Sequence, residues 1–429
     1  MILELIAGRA AVFVAKKTAG AAIDSYKEFK KTAEEKAADK IDATQPCEQS
    51  KEQRVRARQQ TIKNAEAKLN DPSLPADQRK ELTAASQRFK TNNQAVEYAK
   101  LSEHSYEQYD PNLKGRLPAG PPEGWELVSP ESLGLSKADL DPPAPSTFKA
   151  VVYKNKFGME PEYTVAFRGT EPKDGQNDIN VDVENAAGRE TESYSKAIKL
   201  MQKLSEAQHS GMMGKFAVTG HSLGGGLAQT AAMKIRQPPD NTRPQGFMFN
   251  SAGAHPKVVG AAVDGSTFQQ FRSPCDPLTA ISGTQDGSVV ADALQLTARA
   301  IQNATRGVHK VGQFIGLVEK DDDKKKQYED SDEKVAISSI AARVAQADGG
   351  IGENKEKFGW YVPPNAGTMH AVSSYDNEGI DVPCSNVGSQ HSITNLVNGM
   401  ERDKTVDMIV MQKFGCTPKK SGMGASGSW

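Results

Sequence analysis

The sequence predicts an α/β protein built on a mainly parallel central sheet with helices on both faces, preceded by a helical region. Three observations carry this expectation. After about residue 96, short apolar runs alternate with stretches of helical periodicity, the pattern of strands joined through crossover helices. Gly220-His221-Ser222-Leu223-Gly224 stands directly between one such run and a small-residue helix. Residues 1–95 are rich in Ala, Lys, Glu and Gln and nearly devoid of strand formers, so they read as a separate all-helical accessory region.

Taken in order, the front region has helical pattern broken near Asp71-Pro72-Ser73-Leu74-Pro75, and Ala99-Lys100-Leu101-Ser102 reads as the opening of a new helix. A Pro-rich connection runs from Leu117 to Pro145. Phe148 to Tyr153 and Tyr163 to Phe167 read as strands. Glu190 to Gln208 has helical spacing through Ala197, Leu200, Met201 and Leu204. Phe216 to Thr219 is a short β run, Gly225 to Arg236 a small-residue helix, and Phe247 to Phe249 and Phe268 to Arg272 two further strands. Residues 288–350 differ in character: two helical stretches flank an apolar patch, Phe314, Ile315, Leu317 and Val318, and a charge run from Glu319 to Lys326.

Composition narrows the function. The chain has 429 residues and a net charge of −1, so a basic nucleic-acid-binding face is not expected. Its length suits a large domain plus an accessory part. Cys47, Cys275, Cys384 and Cys416 show no CxxC spacing, which argues against zinc; four free thiols are favoured over a Cys384–Cys416 bridge. Met1 to Ile23 is apolar but interrupted by Glu4, Arg9, Lys16 and Lys17. That mixing fits an amphipathic helix, packed on the protein or meeting a membrane or export machine, better than a Sec-type signal. No apolar run reaches the ~18 residues that a membrane-spanning helix needs. The expected location is therefore cytoplasmic when made, with later secretion open.

The chemistry centres on Ser222. In a strand-turn-helix elbow the serine is held in a strained conformation, and side chains two residues either side would collide, which explains Gly220 and Gly224. The turn lifts the hydroxyl out of the sheet and leaves the Leu223 N–H at the positive end of the new helix, where an oxyanion can form. A serine needs a base, and this elbow expects serine, acid and histidine in chain order. Asp276, in Pro274-Cys275-Asp276-Pro277 after a strand-like run, is the favoured acid, with Asp264 and Asp286 as rivals. His104, His209 and His221 precede the serine, and His255 precedes the acid. Of His309, His370 and His391, the last stands in a loop just before a helix-like run and is the favoured base, with His370 next. A second oxyanion donor is expected after an earlier strand, and Arg168-Gly169-Thr170 supplies it through Thr170. Alone, that segment would read as a strand-end turn with Arg168 as a surface charge.

These residues together resemble the class 3 lipases. The resemblance rests on Ala166 to Thr170, on Asp178 and Asp182 beyond it, on Gly220 to Gly225, and on Asp276-Pro277 and His391, covering roughly residues 96–405. It implies an α/β-hydrolase fold, hydrolysis of lipid carboxylic esters through an acyl-enzyme, and Thr170 and Leu223 as oxyanion donors. Asp178 and Asp182 look like the family's paired aspartates, although Ile179 stands where a tryptophan is usual. The segment Glu171 to Arg189 is short for the family's lid, whereas the interval from Asp276 to His391 is long. Residues 288–350 are therefore expected to form a cap or a packed insertion within a lipase domain spanning 96–429. The helical front region also resembles phospholipase effectors injected into rival bacteria, which implies a phospholipid substrate at a membrane surface and an immunity protein or secretion-machine component as partner. No cofactor or metal is expected. A soluble esterase or thioesterase on small acyl groups, and a non-catalytic partner-binding scaffold, are the competing readings.

Overall fold

The computed structural model describes residues 50–109, 120–157, 161–169, 191–254, 256–260, 263–273, 276, 366–383 and 386–417. The expectations for residues 1–23, 288–350, Thr170, Asp178 and Asp182 lie outside them. In chain order the elements are helices α1 (Lys51–Leu69) and α2 (Ala76–Glu107), strand β1 (Trp125–Leu127), a one-turn helix α3 (Lys137–Leu140), strands β2 (Ala150–Asn155) and β3 (Tyr163–Phe167), helix α4 (Glu192–His209), strand β4 (Phe216–His221), helix α5 (Leu223–Ala232), strand β5 (Gly246–Phe249), a short α6 (Pro256–Val259), strands β6 (Phe268–Arg272) and β7 (Thr368–Ala371), and helices α7 (Val387–His391) and α8 (Ile393–Lys413). The chain divides into two compact units, Met1–Glu97 with Val372–Trp429, and Tyr98–Ala371.

The second unit holds a sheet whose described strands lie in sequence order from β1 to β7. β1, β2 and β3 pair antiparallel. From β3 onward every pairing is parallel, for example Phe167 with Gly220, His221 with Phe249, and Phe249 with Phe271. Parallel neighbours cannot be joined by a tight turn, so each needs a crossover, and α4 and α5 provide two. Every residue of β3, β4 and β5 is buried, as strands covered on both faces must be.

The two faces are covered by different means. On one, α4 presents Tyr194, Ala197, Met201 and Leu204 at helical spacing, while Lys199, Lys203 and Glu206 face solvent. These residues join Val218, Leu227, Ala231 and Met248 in one core cluster. Adjacent strand residues point to opposite faces, so Phe247, next to Met248, faces the other way. There the last turns of α2 cover the sheet: Tyr98 stacks on Phe247 with ring centroids 3.9 Å apart. Thr219 donates to the Phe247 carbonyl at 2.8 Å, and its hydroxyl lies 2.8 Å from that of Ser102. A mainly parallel sheet flanked on both faces, with a serine at a strand-to-helix turn, is the α/β-hydrolase architecture that the sequence predicted.

In the first unit, Ser50 and Gln53 close a reciprocal capping box at the start of α1. Asp71 breaks the helices by accepting from the Ser73 N–H at 2.9 Å. Leu82, Ala85 and Phe89 of α2 pack with Met408 and Met411 of α8, and Arg88 donates to Asp407 at 2.5 Å. Residues after 371 therefore share a core with the front helices.

Local boundaries depart from expectation in several places. No helix opens at Ala99, because α2 is continuous from Ala76 to Glu107; it contains no Gly or Pro to stop it, and a shift in composition does not end a helix. The small-residue helix spans Leu223–Ala232 rather than Gly225 to Arg236. The Pro-rich connection contains β1, whose Leu127 pairs with Tyr153, and β7 was not foreseen. Both are short outermost strands defined by partners distant in sequence.

Candidate active site

Ser222 occupies the turn between β4 and α5 with φ 57° and ψ −130°. A non-glycine residue adopts such a conformation only where its surroundings over-determine it, at a cost of about 1–3 kcal/mol. Those surroundings are visible. The Ser222 N–H donates to the Phe249 carbonyl at 3.1 Å, and the Ser222 carbonyl accepts from the N–H groups of Gly225 and Ala252, each at 3.1 Å. The elbow is thus bolted to the exit of β5. A Cβ at Gly220 would strike the backbone of Gly224, and one at Gly224 would strike Phe167, Arg168 and Gly169. Leu223 is the first residue of α5, a position whose N–H has no intrahelical partner.

The exit of β3 packs directly on this elbow. An ideal Cβ on Gly169 would lie 3.2 Å from the Ser222 Cβ and would collide with the Tyr106 hydroxyl and the His221 carbonyl. Thr170 follows Gly169 in the chain but lies outside the described residues. Arg168 is not a surface charge: it is buried and donates to the Thr147 carbonyl at 3.0 Å.

Sequence reasoning did not single out Tyr106, whose hydroxyl is 2.9 Å from His221 Nδ1. It thereby touches both the residue before the nucleophile and the glycine before the expected oxyanion donor. Nothing local in the sequence marks it, since its partners are far along the chain. His221 itself is buried in this packing.

Asp276 is wholly buried, and its N–H donates to the Ser273 carbonyl at 3.1 Å. It follows the carboxyl end of β6, as Ser222 follows that of β4; because β4, β5 and β6 are parallel, both stand at the same sheet edge, where open α/β sheets hold their sites. Its rival Asp264 precedes β6, at the opposite edge, and pairs with Arg243. Asp286 lies outside the described residues.

The histidines separate by surroundings. His104 is buried against the Tyr153 hydroxyl at 2.8 Å, and burial lowers its pKa. His209 is exposed on α4. His370 lies in β7, stacked 4.8 Å from Phe271; its Nε2 is buried with no hydrogen-bond partner among the described residues, and burial lowers its pKa. His391 ends α7, is 2% exposed, and belongs to the first unit. His255 and His309 lie outside the described residues.

Among the described residues no group of three or more His, Cys, Asp or Glu is placed to hold a metal ion, and no helix is long and apolar enough to cross a membrane. Cys416 is a buried free thiol, its pKa raised by burial.

Known proteins are similar to parts of this chain. Extracellular phospholipase A1 of Serratia liquefaciens is 27% identical over 177 residues, which are 40% of this chain and 51% of that protein; the chain thus spans about half the length of this curated relative. Two structures of a Rhizomucor miehei lipase propeptide complex, one native and one a deletion mutant, match at 16% identity. They cover 44% of this chain and 62% and 61% of theirs, with TM-scores of 0.29 and 0.28. The phospholipase-like family model for the Tle-like phospholipase domain matches residues 97–324, more than half of the chain, including Thr170, Ser222 and Asp276. The chain belongs to the family of Tle-like phospholipase domains.

Proposed function

We propose that the protein is a serine hydrolase that cleaves carboxylic ester bonds of glycerolipids or phospholipids through an acyl-enzyme. The observation that carries this reading is the strained Ser222 elbow with the β3 exit packed on it at Gly169, in a chain of a phospholipase-like family. His391 takes the Ser222 proton, and Asp276 holds the imidazole in the productive tautomer and stabilises the imidazolium. Ser222 attacks the acyl carbonyl, and the N–H groups of Thr170 and Leu223 receive the developing oxyanion. His391 then protonates the leaving alcohol, and water reverses the sequence to free the fatty acid. These steps call on no metal or cofactor.

The proposal extends to organisation and setting. Residues 1–95 act as a helical accessory region to a lipase domain over 96–429, with 288–350 as its helical insertion or cap. The resemblance of the helical front region to phospholipase effectors, together with the phospholipase-like domain, supports an effector delivered to rival cells, acting on membrane phospholipid and restrained in the producer by an immunity protein.

The test is fatty acid release from phosphatidylethanolamine/phosphatidylglycerol vesicles by the wild type and Ser222→Ala. Release by the wild type alone is expected; release by both would refute Ser222 as nucleophile. A wild-type protein that proves harmless when directed to a target cell's periplasm would refute the effector role.

A further inference from the structure

Asn250 follows β5 immediately and has no part in the proposed chemistry, yet it stands between its two ends. It is fully buried and adopts φ 40°, in the left-handed region that Asn tolerates better than most residues. The residue before it, Phe249, accepts from the Ser222 N–H at 3.1 Å, and the Ala252 N–H donates to the Ser222 carbonyl at 3.1 Å. One side of this stretch therefore grips the nucleophile.

The other side reaches toward the acid. The β5–β6 ladder closes with the Asn250 N–H donating to the Phe271 carbonyl at 2.9 Å. Beyond that point the β5 backbone turns away, and the side chain takes over: Asn250 Oδ1 accepts from the Ser273 N–H at 2.9 Å. This supplies the acceptor that a continued strand would have offered. Ser273 is fully buried, so its N–H depends on a protein acceptor. The Ser273 carbonyl in turn accepts from the N–H of the equally buried Asp276 at 3.1 Å.

We infer that Asn250 is a positioning residue for the triad acid, its amide oxygen extending the β5–β6 ladder by one bond and so setting where the Asp276 carboxylate stands relative to Ser222. The inference rests on the reading of Asp276 as the acid. Glycine at 250 keeps the left-handed backbone and the bond to Phe271 but removes the acceptor for Ser273. Aspartate keeps an acceptor oxygen at the same place.

The experiment compares wild type, Asn250→Gly, Asn250→Asp, Asp276→Asn and the Asn250→Gly/Asp276→Asn double variant in the full chain. Hydrolysis of p-nitrophenyl butyrate is followed across pH, with thermal melts alongside. A misplaced catalytic group costs roughly 10²-fold per ångström. Asn250→Gly is therefore expected to lower kcat by about 10- to 100-fold with KM within about twofold, and to move the acidic limb of the kcat/KM profile to lower pH, because a displaced carboxylate no longer supports the imidazolium. Asn250→Asp keeps kcat within about tenfold of wild type, and the double variant matches Asp276→Asn alone. An Asn250→Gly rate equal to wild type, an aspartate variant as impaired as the glycine one, or the full glycine penalty repeated in the Asp276→Asn background would each overturn the inference. The reading beneath it fails separately, by Asp276→Asn hydrolysing at the wild-type rate.

Discussion

Replacing Gly224 with alanine adds one methyl group at the contact between the nucleophile elbow and the β3 exit. The new Cβ would lie 2.8 Å from the Arg168 carbonyl carbon and 2.9 Å from the Gly169 nitrogen, with the Phe167 carbonyl oxygen closer still. All three are backbone atoms, so no side chain can swing aside. Carbon contacts settle near 3.5–4.0 Å, and the two segments must part by about 1 Å. Those segments carry Leu223 and Thr170, the two proposed oxyanion donors. Losing one such donor costs about 10²–10³ in kcat, or roughly 3–4 kcal/mol of transition-state stabilisation. The stability cost is smaller, since overpacking of about 1–3 kcal/mol is partly offset by the roughly 1 kcal/mol that alanine gains over glycine in a helix. Gly226→Ala is the matched control on the same helix: its Cβ would press on the Tyr194 hydroxyl at 2.6 Å and the Ala252 Cβ at 3.2 Å, away from the donors. In ester hydrolysis assays with parallel melts, Gly224→Ala is expected to lose at least a hundredfold in kcat while melting close to wild type, and Gly226→Ala to keep its rate. A Gly224→Ala enzyme within tenfold of wild type would refute the reasoning, as would equal kinetic losses in both variants.

Other expectations follow from the same geometry. His391→Ala should abolish detectable hydrolysis while His370→Ala retains most of it; the opposite ranking of the two rates would assign the base to β7. Tyr106→Phe removes the 2.9 Å bond to His221 and should cost about 0.5–1.5 kcal/mol of stability together with a fall in kcat, measured by melt and initial rate; unchanged values would show that the bond does not secure the elbow. Asp407 has a pKa raised from 3.8 to about 7 by burial, which outweighs the Arg88 guanidinium beside it, and Asp403 one raised to about 6, again chiefly by burial. Their folded pKa values exceed the unfolded ones, so their protonated forms favour the fold: the stability they contribute is complete below about pH 4 and is lost as pH rises through 6 to 7. Asp407→Asn should flatten the decline in melting temperature between pH 5 and 8; a slope equal to that of the wild type would refute this.

How far the sequence alone reaches depends on the range of the forces involved. The elbow was legible because its constraints are local: Gly220, Ser222 and Gly224 answer to sterics within a few residues, and the strand and helix on either side show in hydrophobic pattern. The parallel order of the strands was legible for the same reason, since helix and strand periods alternate in plain view. Asp276 could be favoured over Asp264 by its place in a turn just after a strand-like run, but the physical reason is topological: parallel strands carry Ser222 and Asp276 to one edge of the sheet and leave Asp264 at the other, paired with Arg243.

Tertiary structure decided what depends on partners far away in the chain. β1 is three residues long and exists through its pairing with β2. Tyr106 matters because α2 lays it against His221, 115 residues on. Asn250 matters because its side chain meets Ser273. Arg168 changed from a surface charge to a buried donor for Thr147. The sequence by itself determined which residue types could carry the chemistry and the turn that displays the nucleophile, since covalent geometry and side-chain sterics act within a few residues. Only the fold decided which sheet edge gathers them and which buried side chains hold them there, because hydrogen bonds and close contacts form between whatever atoms the folded chain brings together.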